Sequence, residues 1–369
     1  MFSKLLIANR GEIAVRIIRA CKEMGISTVA VFSTADRDAL HVSMADESYC
    51  IGGPTVGESY LNLSAILSAA IVSGAQAIHP GYGLLSENPR FAQLCAQCGI
   101  AFIGPSAEVM RRMGDKDEAR RTMIAAGVPV IPGCDVVETL EKARAEAEKL
   151  GFPLLIKARS GGGGRGIRLV NSMGEFDNAW QTASSEAASA FGDGAVYLER
   201  FLSPVKHIEM QLIADQQGNV VCLGERECSM QRKNQELLEE SPSPVITPQQ
   251  RAEMIRVSTA AAKAVGYENA GTIEFLYDKE GNFYFMEMNT RLQVEHPVTE
   301  METGVDLVKW QIRVAAGMPL GFTQEDIQLQ GHTIECRINA EDPAHGFRPC
   351  CGTVSFLTFP GGPGVRFDT

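Results

Sequence analysis

Two acidic residues near the end of the chain are spaced to hold a metal. Residues 271–297 read as two strands joined by a polar turn, Lys279-Glu280-Gly281-Asn282. Folded about that turn, Glu274 falls opposite Glu287. Strand alternation then gives Glu287, Asn289 and Arg291 one face. Directly opposed carboxylates repel each other. A hard cation relieves that repulsion, and Mg²⁺ takes one or two carboxylates together with phosphate oxygens. The plain alternative is a solvated hairpin with scattered charge. Phe283 and Phe285, expected on the Glu287 face, argue against an open, wet surface.

A second segment suits phosphate. Lys157-Ala-Arg-Ser-Gly-Gly-Gly-Gly-Arg-Gly166 contains G-x-G-x-x-G at Gly161, Gly163 and Gly166. A dinucleotide fingerprint must open a helix, and a P-loop needs a following Lys-Ser/Thr pair. Here a strand pattern, Ile167 to Val170, follows instead. The glycines therefore read as a flap between strands, whose backbone N–H groups can close over phosphate. Lys157 adds a point charge. The competing reading is a hairpin tip without a ligand. Glu199-Arg200-Phe201-Leu202 enters a connector, where backbone groups could read an adenine edge and Leu202 could pack on the base; a plain linker reads equally well.

Beyond the acidic hairpin comes Arg291-Leu-Gln-Val-Glu-His-Pro297. Arg291 and Gln293 with a backbone N–H suit a small planar anion, because guanidinium fits such oxygens bidentately. Glu295 beside them could act as a general base. The alternative is a surface Arg/Glu pair. His296, before proline, reads as structural. Arg337 sits in an apolar strand pattern, His332 to Asn339, and needs an anionic partner: Glu335 or a substrate.

These groups need a scaffold. A strand (Leu5 to Ala8), a tight turn, a helix with Ile13, Ile17, Cys21 and Met24 at helical spacing, and a strand (Ser27 to Phe32) make a βαβ unit. Strands at Ala75 to His79 and Ile100 to Ile103 extend it. The fold class is α/β (α+β overall), with an N-terminal doubly wound parallel-sheet domain over 1–114. A connector spans 115–134, a compact lid with the glycine flap 135–202, and a β-rich domain 203–369. A chain of 369 residues exceeds a single core.

Composition excludes some classes. A net charge of −11 argues against nucleic-acid and anionic-lipid binding. No apolar run approaches the roughly 18 residues of a membrane span, and Lys4 to Ala8 is too short for a signal sequence, so a cytoplasmic protein is expected. The ten cysteines lack a paired zinc spacing and read as reduced thiols.

Long ordered motifs carry a resemblance over the whole chain: Ile7-Ala-Asn-Arg-Gly-Glu-Ile-Ala14, His79-Pro-Gly-Tyr-Gly83, Ser86-Glu-Asn88, Met113-Gly-Asp-Lys116, the glycine flap, Glu227-Cys-Ser-Met-Gln-Arg232, Met286-Glu-Met-Asn-Thr-Arg291, Gln293-Val-Glu-His-Pro297 and Glu335-Cys-Arg-Ile-Asn-Ala-Glu-Asp342. The chain resembles the biotin carboxylase family of ATP-grasp enzymes. The resemblance implies ATP-dependent carboxylation of biotin by bicarbonate through carboxyphosphate, with Mg²⁺ or Mn²⁺, as the first half-reaction of acetyl-CoA carboxylase in fatty acid synthesis. It places ATP on Lys116, Lys157, Gly162, Gly163, Gly164, Glu199, Arg200, Leu202, His207, Gln231, Asn234, Glu274 and Glu287. It places metal on Glu274, Glu287 and Asn289, and bicarbonate on Arg291, Gln293 and Val294. Glu295 is the implied base, Arg337 steadies the biotin enolate, and Tyr82 joins Arg337 in the biotin pocket. The chain contains no Ala-Met-Lys-Met attachment sequence. Biotin is therefore expected on a separate biotin carboxyl carrier protein, with carboxyltransferase subunits as further partners. A homodimer is expected through the polar side of the first helix (Arg16, Arg19, Glu23).

Two departures stand out. Glu236 occupies the position where the family pattern has a catalytic lysine. At about 4 Å and an effective dielectric of about 20, that reversal turns roughly 4 kcal/mol of attraction for an anion into repulsion. The chain also stops at Thr369, before the family pattern does, so the C-terminal domain is expected to be incomplete and the sequence to be a fragment. The alternatives are a nucleotide-binding, carrier-docking protein of reduced or no activity, or the same module serving propionyl-CoA, pyruvate or urea carboxylation.

Overall fold

The computed structural model describes residues 1–159, 166–233 and 235–369. The chain opens with strands β1 (Lys4–Ile7), β2 (Ser27–Ser33), β3 (Glu47–Gly52), β4 (Ala77–His79) and β5 (Ala101–Phe102). They form a parallel sheet in the order β3-β2-β1-β4-β5. Alternate residues of β1 feed two cores. Leu5 and Ile7 pack with Ile13 and Ile17 of the Gly11–Glu23 helix. Leu6 and Ala8 pack on the other face with Ile66 and Phe91, from the helices Leu63–Ser73 and Pro89–Gln97. This is the doubly wound arrangement that a parallel sheet buried on both faces requires. Sequence periodicity missed β3, whose side chains are mostly half-exposed, and the Leu63–Ser73 helix, which is apolar nearly all round.

Next come β6 (Leu154–Ala158), β7 (Ile167–Val170) and β8 (Val196–Arg200), an antiparallel sheet in the order β7-β6-β8. The helices Leu140–Leu150 and Met173–Phe191 cover it, and Ala143, Ala147, Phe176 and Leu198 share its core. Lys157 pairs with Ile167 across the antiparallel β6–β7 ladder. The glycine run therefore links two strands of one sheet, while Gly162, Gly163 and Gly164 themselves lie outside the described residues, as does Asn234.

Strands β9 (Val205–Ala214), β10 (Val220–Arg232), β11 (Gln235–Ser241), β12 (Asn269–Asp278), β13 (Phe283–Asn289) and β14 (Thr333–Cys336) build an antiparallel sheet, in the order β13-β12-β9-β10-β11-β14. The Pro248–Val265 helix packs on one face, burying Met254, Val257 and Ala261 against Ile208, Met210 and Phe275. Beyond it a short ribbon joins β15 (Glu341–Asp342) to β16 (Arg348–Pro349). Apolar side chains around it stay open, with Phe356 84% and Ile338 82% exposed.

Two of the three groups expected to make a symmetric contact, Arg16 and Glu23, are engaged within the chain, while Arg19 is exposed. Arg16 Nη2 lies 2.9 Å from Glu300 and 2.8 Å from Asp306, and Glu23 pairs with Lys309 at 2.6 Å. Those partners sit on or beside the helices His296–Thr303 and Leu307–Ala315, so this face docks within the chain. Among the described residues, no helix is long and apolar enough to cross a membrane. All ten cysteines are unpaired.

Candidate active site

The β12–β13 register sets Glu274 directly opposite Glu287. Phe275 then faces Phe285, so Met286 is an extra residue in its strand. Such a bulge resets the two-residue alternation. It sends Phe283 and Phe285 to the core side with Phe275, where the Phe275 and Phe283 rings meet edge-on at 5.4 Å. The expectation that both phenylalanines share the Glu287 face is overturned by that single insertion. Glu287 is exposed to a cleft, whereas Glu274 is buried.

Polar partners, rather than aromatic cover, hold Glu274. It accepts from Asn289 Nδ2, from Gln293 Nε2 at 3.1 Å, and faces His207 Nε2 at 2.8 Å. Burial opposes charge on His207, but the hydrogen bond and charge of Glu274, with Glu209 and Glu236 nearby, outweigh it and push the imidazole up to about 9. Burial, then the facing Glu274, raises Glu287. Glu287 makes no hydrogen bond or ion pair among the described residues.

Behind this pair lies a buried frame that the motifs did not single out. Arg226 is fully buried and donates to Glu209 at 2.9 Å, Gln211 at 2.6 Å, Thr299 at 3.0 Å and Gln293 at 2.6 Å. Glu209 lies opposite Glu274 on β9, and its carboxyl is raised by burial and by Glu295 and Glu274. Its spacing of two from His207 on one strand was the available signal. No periodicity announces Arg226, because its partners come from separate segments.

The cleft encloses about 1080 Å³. Its lining includes Lys116, Lys157, Glu199, His207 and Gln231 together with Glu274, Glu287, Asn289, Arg291, Gln293 and Val294. Glu236, Glu295 and Arg337 belong to the same lining. Lys116 opens the Lys116–Ala125 helix, whose N-cap Asp115 accepts from Glu118 at 2.9 Å. Lys157 is ion-paired with Glu199 across β6 and β8. Arg200, Leu202 and Tyr82 do not line this cleft. The Tyr82 hydroxyl bonds Glu12 instead.

Arg291 is held rather than free. Its Nε donates to Glu87 at 2.9 Å and its Nη2 to Asn289 at 3.1 Å. Glu87 also accepts from the Thr290 backbone N–H at 3.0 Å. His296 is buried, with Nδ1 2.9 Å from the Gln293 carbonyl, a structural role as expected.

Arg337 lies just past the end of β14, not within it, and Glu335 is not its contact. Its Nη2 donates to Glu236 at 2.7 Å and to Glu295 at 2.7 Å, and its Nε lies 2.6 Å from Glu239. Glu335 approaches by charge only. Burial, then Glu239, pushes its carboxyl up to about 8, and burial raises Glu239 to about 7. Glu295 Oε1 is buried without a hydrogen-bond partner among the described residues. The geometry gathers opposed acids, two lysines and three arginines in one cleft, the set needed to place and neutralise a phosphoryl group.

Comparison with known proteins agrees with that chemistry. Residues 1–110 match the biotin carboxylase N-terminal domain, 115–323 the ATP-binding domain of the carbamoyl-phosphate synthase L chain, and 335–369 the biotin carboxylase C-terminal domain. The chain is 57% identical to a biotin carboxylase of Nostoc sp., over 100% of this chain and 83% of that protein. It is 53% identical to the small subunit of 2-oxoglutarate carboxylase from Hydrogenobacter thermophilus, over 100% of this chain and 78% of that one. Among solved structures, the biotin carboxylase domain dimer of the Hydrogenobacter thermophilus enzyme, in complex with MgADP, ADP and bicarbonate, superposes with a TM-score of 0.92 at 53% identity. That match covers 99% of this chain and 81% of that one.

Proposed function

The chain belongs to the biotin carboxylase family, ATP-dependent ligases that carboxylate biotin, and on that premise we propose that it serves acetyl-CoA carboxylase in the cytoplasm, as a homodimer that loads biotin on a separate carrier protein for carboxyltransferase subunits. The observation that carries the chemistry is the Glu274–Glu287 pair, facing Lys116 and Lys157 across one cleft. The Nostoc relative bears the name of a biotin carboxylase and not of a pyruvate or 2-oxoglutarate enzyme, which favours the acetyl-CoA assignment. The dimeric Hydrogenobacter domain supports the dimer.

The oxygen donors of Glu274, Glu287 and Asn289 suit a hard divalent ion, and Glu287 has no other partner among the described residues to neutralise it. Bound there, Mg²⁺ or Mn²⁺ would shield the charge of the phosphate tail. Lys116 and Lys157 hold phosphate oxygens, with Lys157 exchanging Glu199 for the nucleotide. Arg291, Gln293 and the Val294 backbone place bicarbonate so that its oxygen attacks the γ-phosphoryl group. Glu295 takes the bicarbonate proton. Carboxyphosphate then breaks into CO₂ and phosphate, the phosphate takes the proton of the biotin ureido N–H, Arg337 meets the resulting enolate charge, and the ureido nitrogen captures the CO₂. His207 and Gln231 sit beside the nucleotide, with Glu199 toward the adenine.

The test is fixation of labelled bicarbonate into free biotin with ATP and Mg²⁺. Absence of bicarbonate-dependent ATP turnover and of fixed label would sink the reading. Adding carrier and carboxyltransferase subunits of acetyl-CoA carboxylase should yield malonyl-CoA. Transfer only to pyruvate or 2-oxoglutarate would reassign the acceptor.

A further inference from the structure

A second cavity, of about 600 Å³, shares no lining residue with the catalytic cleft. Its lining joins two units of the chain. Ala92 and Ala96 come from the Pro89–Gln97 helix and Phe102 from β5, all in the parallel-sheet unit. Val314 and Ala315 come from the Leu307–Ala315 helix, and Glu268 precedes β12 of the large antiparallel sheet. Small-molecule sites favour such junctions, and their volumes run from about 300 to 1,000 Å³.

The charge in this cavity has one sign. Glu108 and Glu268 line it, and the described lining contains no Lys, Arg or His. Glu268 is half-buried and makes no hydrogen bond or ion pair among the described residues. Burial raises its carboxyl. A carboxylate partly withdrawn from water with no partner is unfavourable, and a cation beside it relieves that state. One feature opposes a cation: the Ala107–Gly114 helix begins in the same lining, and helix N-termini favour anions. That end carries only roughly half an elementary charge. Ser106 already caps it, accepting from the Val109 N–H at 3.3 Å, and Glu108 sits in its first turn. Two full carboxylates therefore decide the sign.

The sheet edge supplies a further polar group. β5 is the last strand of its sheet. The Ala101 N–H donates to the Gln76 carbonyl at 3.0 Å and the Ile103 N–H to the Ile78 carbonyl at 2.9 Å. Alternation turns the N–H and C=O of Phe102 the other way, to the open edge.

We propose that this cavity binds a small amphipathic ammonium compound, with its apolar body against Ala92, Ala96 and Val314 and its charged nitrogen on Glu268. An ammonium group has three donors, so one can serve the Phe102 carbonyl while another serves the carboxylate. The site is separate from the function proposed above, and neither reading depends on the other.

The test is isothermal titration of the full chain with 4-phenylbutylamine, 4-phenylbutanol and 4-phenylbutyrate, which share an apolar body and differ in charge. ADP and Mg²⁺ are present throughout to occupy the catalytic cleft. The amine should bind about tenfold more tightly than the alcohol, the size of one partly buried charge pair, and the carboxylate should bind least. Glu268→Gln keeps the shape and should bring the amine to the level of the alcohol. Ala96→Phe fills the cavity and should weaken amine and alcohol alike by about tenfold. Equal binding of amine and alcohol by the unsubstituted chain overturns the proposal. An undiminished preference for the amine in Glu268→Gln also overturns it, as does undiminished binding in Ala96→Phe, which would put the compound elsewhere. Neither substitution removes a side-chain hydrogen bond or ion pair among the described residues, so both variants should melt as the unsubstituted chain does. If one does not fold, the other decides the question alone.

Discussion

Glu87 and Arg291 join the N-terminal parallel-sheet unit to the acidic hairpin through an ion pair of 2.9 Å. The same carboxylate caps the Thr290 backbone N–H at 3.0 Å and its hydroxyl at 3.1 Å. One side chain from a distant segment thus orients the arginine proposed to hold bicarbonate.

Replacing Glu87 by Ala should therefore raise KM for bicarbonate by about tenfold, the coupling expected of a partly buried charge pair. The KM for ATP should change little. Steady-state kinetics with each substrate varied in turn checks this. Equal effects on both constants would point to a general loss of structure.

Glu274→Gln and Glu287→Gln each remove one charge from the facing pair. Loss of one preorganised electrostatic group at a reacting centre costs on the order of 10²-fold in kcat. Each variant should show that loss and need more Mg²⁺ for half-maximal rate. Wild-type rates in either variant would remove the metal assignment.

Arg226→Met removes the cation that donates to buried Glu209 at 2.9 Å and leaves it only His207, at 3.5 Å, as a charged partner. Breaking one partner out of a buried pair costs about 3–5 kcal/mol. The expected result is a clear fall in thermal midpoint, seen by circular dichroism without any ligand. An unchanged midpoint would show that Glu209, whose carboxyl is raised by burial, is already neutral in the folded protein.

Glu335 makes stability depend on pH with a definite sign. Burial, then Glu239, raises its folded pKa from 4.5 to about 8. The folded chain therefore keeps a proton that the unfolded chain releases. That contribution is complete below about pH 4.5 and is lost as pH rises through about 8. Glu239, raised to about 7, acts in the same direction. Glu335→Gln should flatten the fall in melting temperature between about pH 4.5 and 8. An identical slope in the variant would assign the effect elsewhere.

The sequence by itself determined the elements whose patterns are local. The βαβ opening, the Leu140–Leu150 helix and the strand after Gly166 follow from period and caps. The Glu274–Glu287 pairing needed the bulge as well: next to the turn Tyr277 pairs with Phe283, and only the extra Met286 brings Glu287 opposite Glu274. The resemblance, through its ordered motifs, brought in Lys116, His207 and Gln231, residues that share the cleft with the acidic hairpin. Tertiary structure alone decided the rest. The Met286 bulge moved Phe283 and Phe285 to the core, because a one-residue insertion reverses the side chains beyond it and leaves no mark in composition. Arg16 and Glu23 pair with residues of other helices, Glu23 at the surface, since charge pattern on a helix does not say whether its partner is water or another helix. Arg226, Glu239 and the shared hold of Glu236 and Glu295 on Arg337 arise from segments far apart in the chain. Ion pairing of that kind is set by distance in space, and only the packed sheet supplies it.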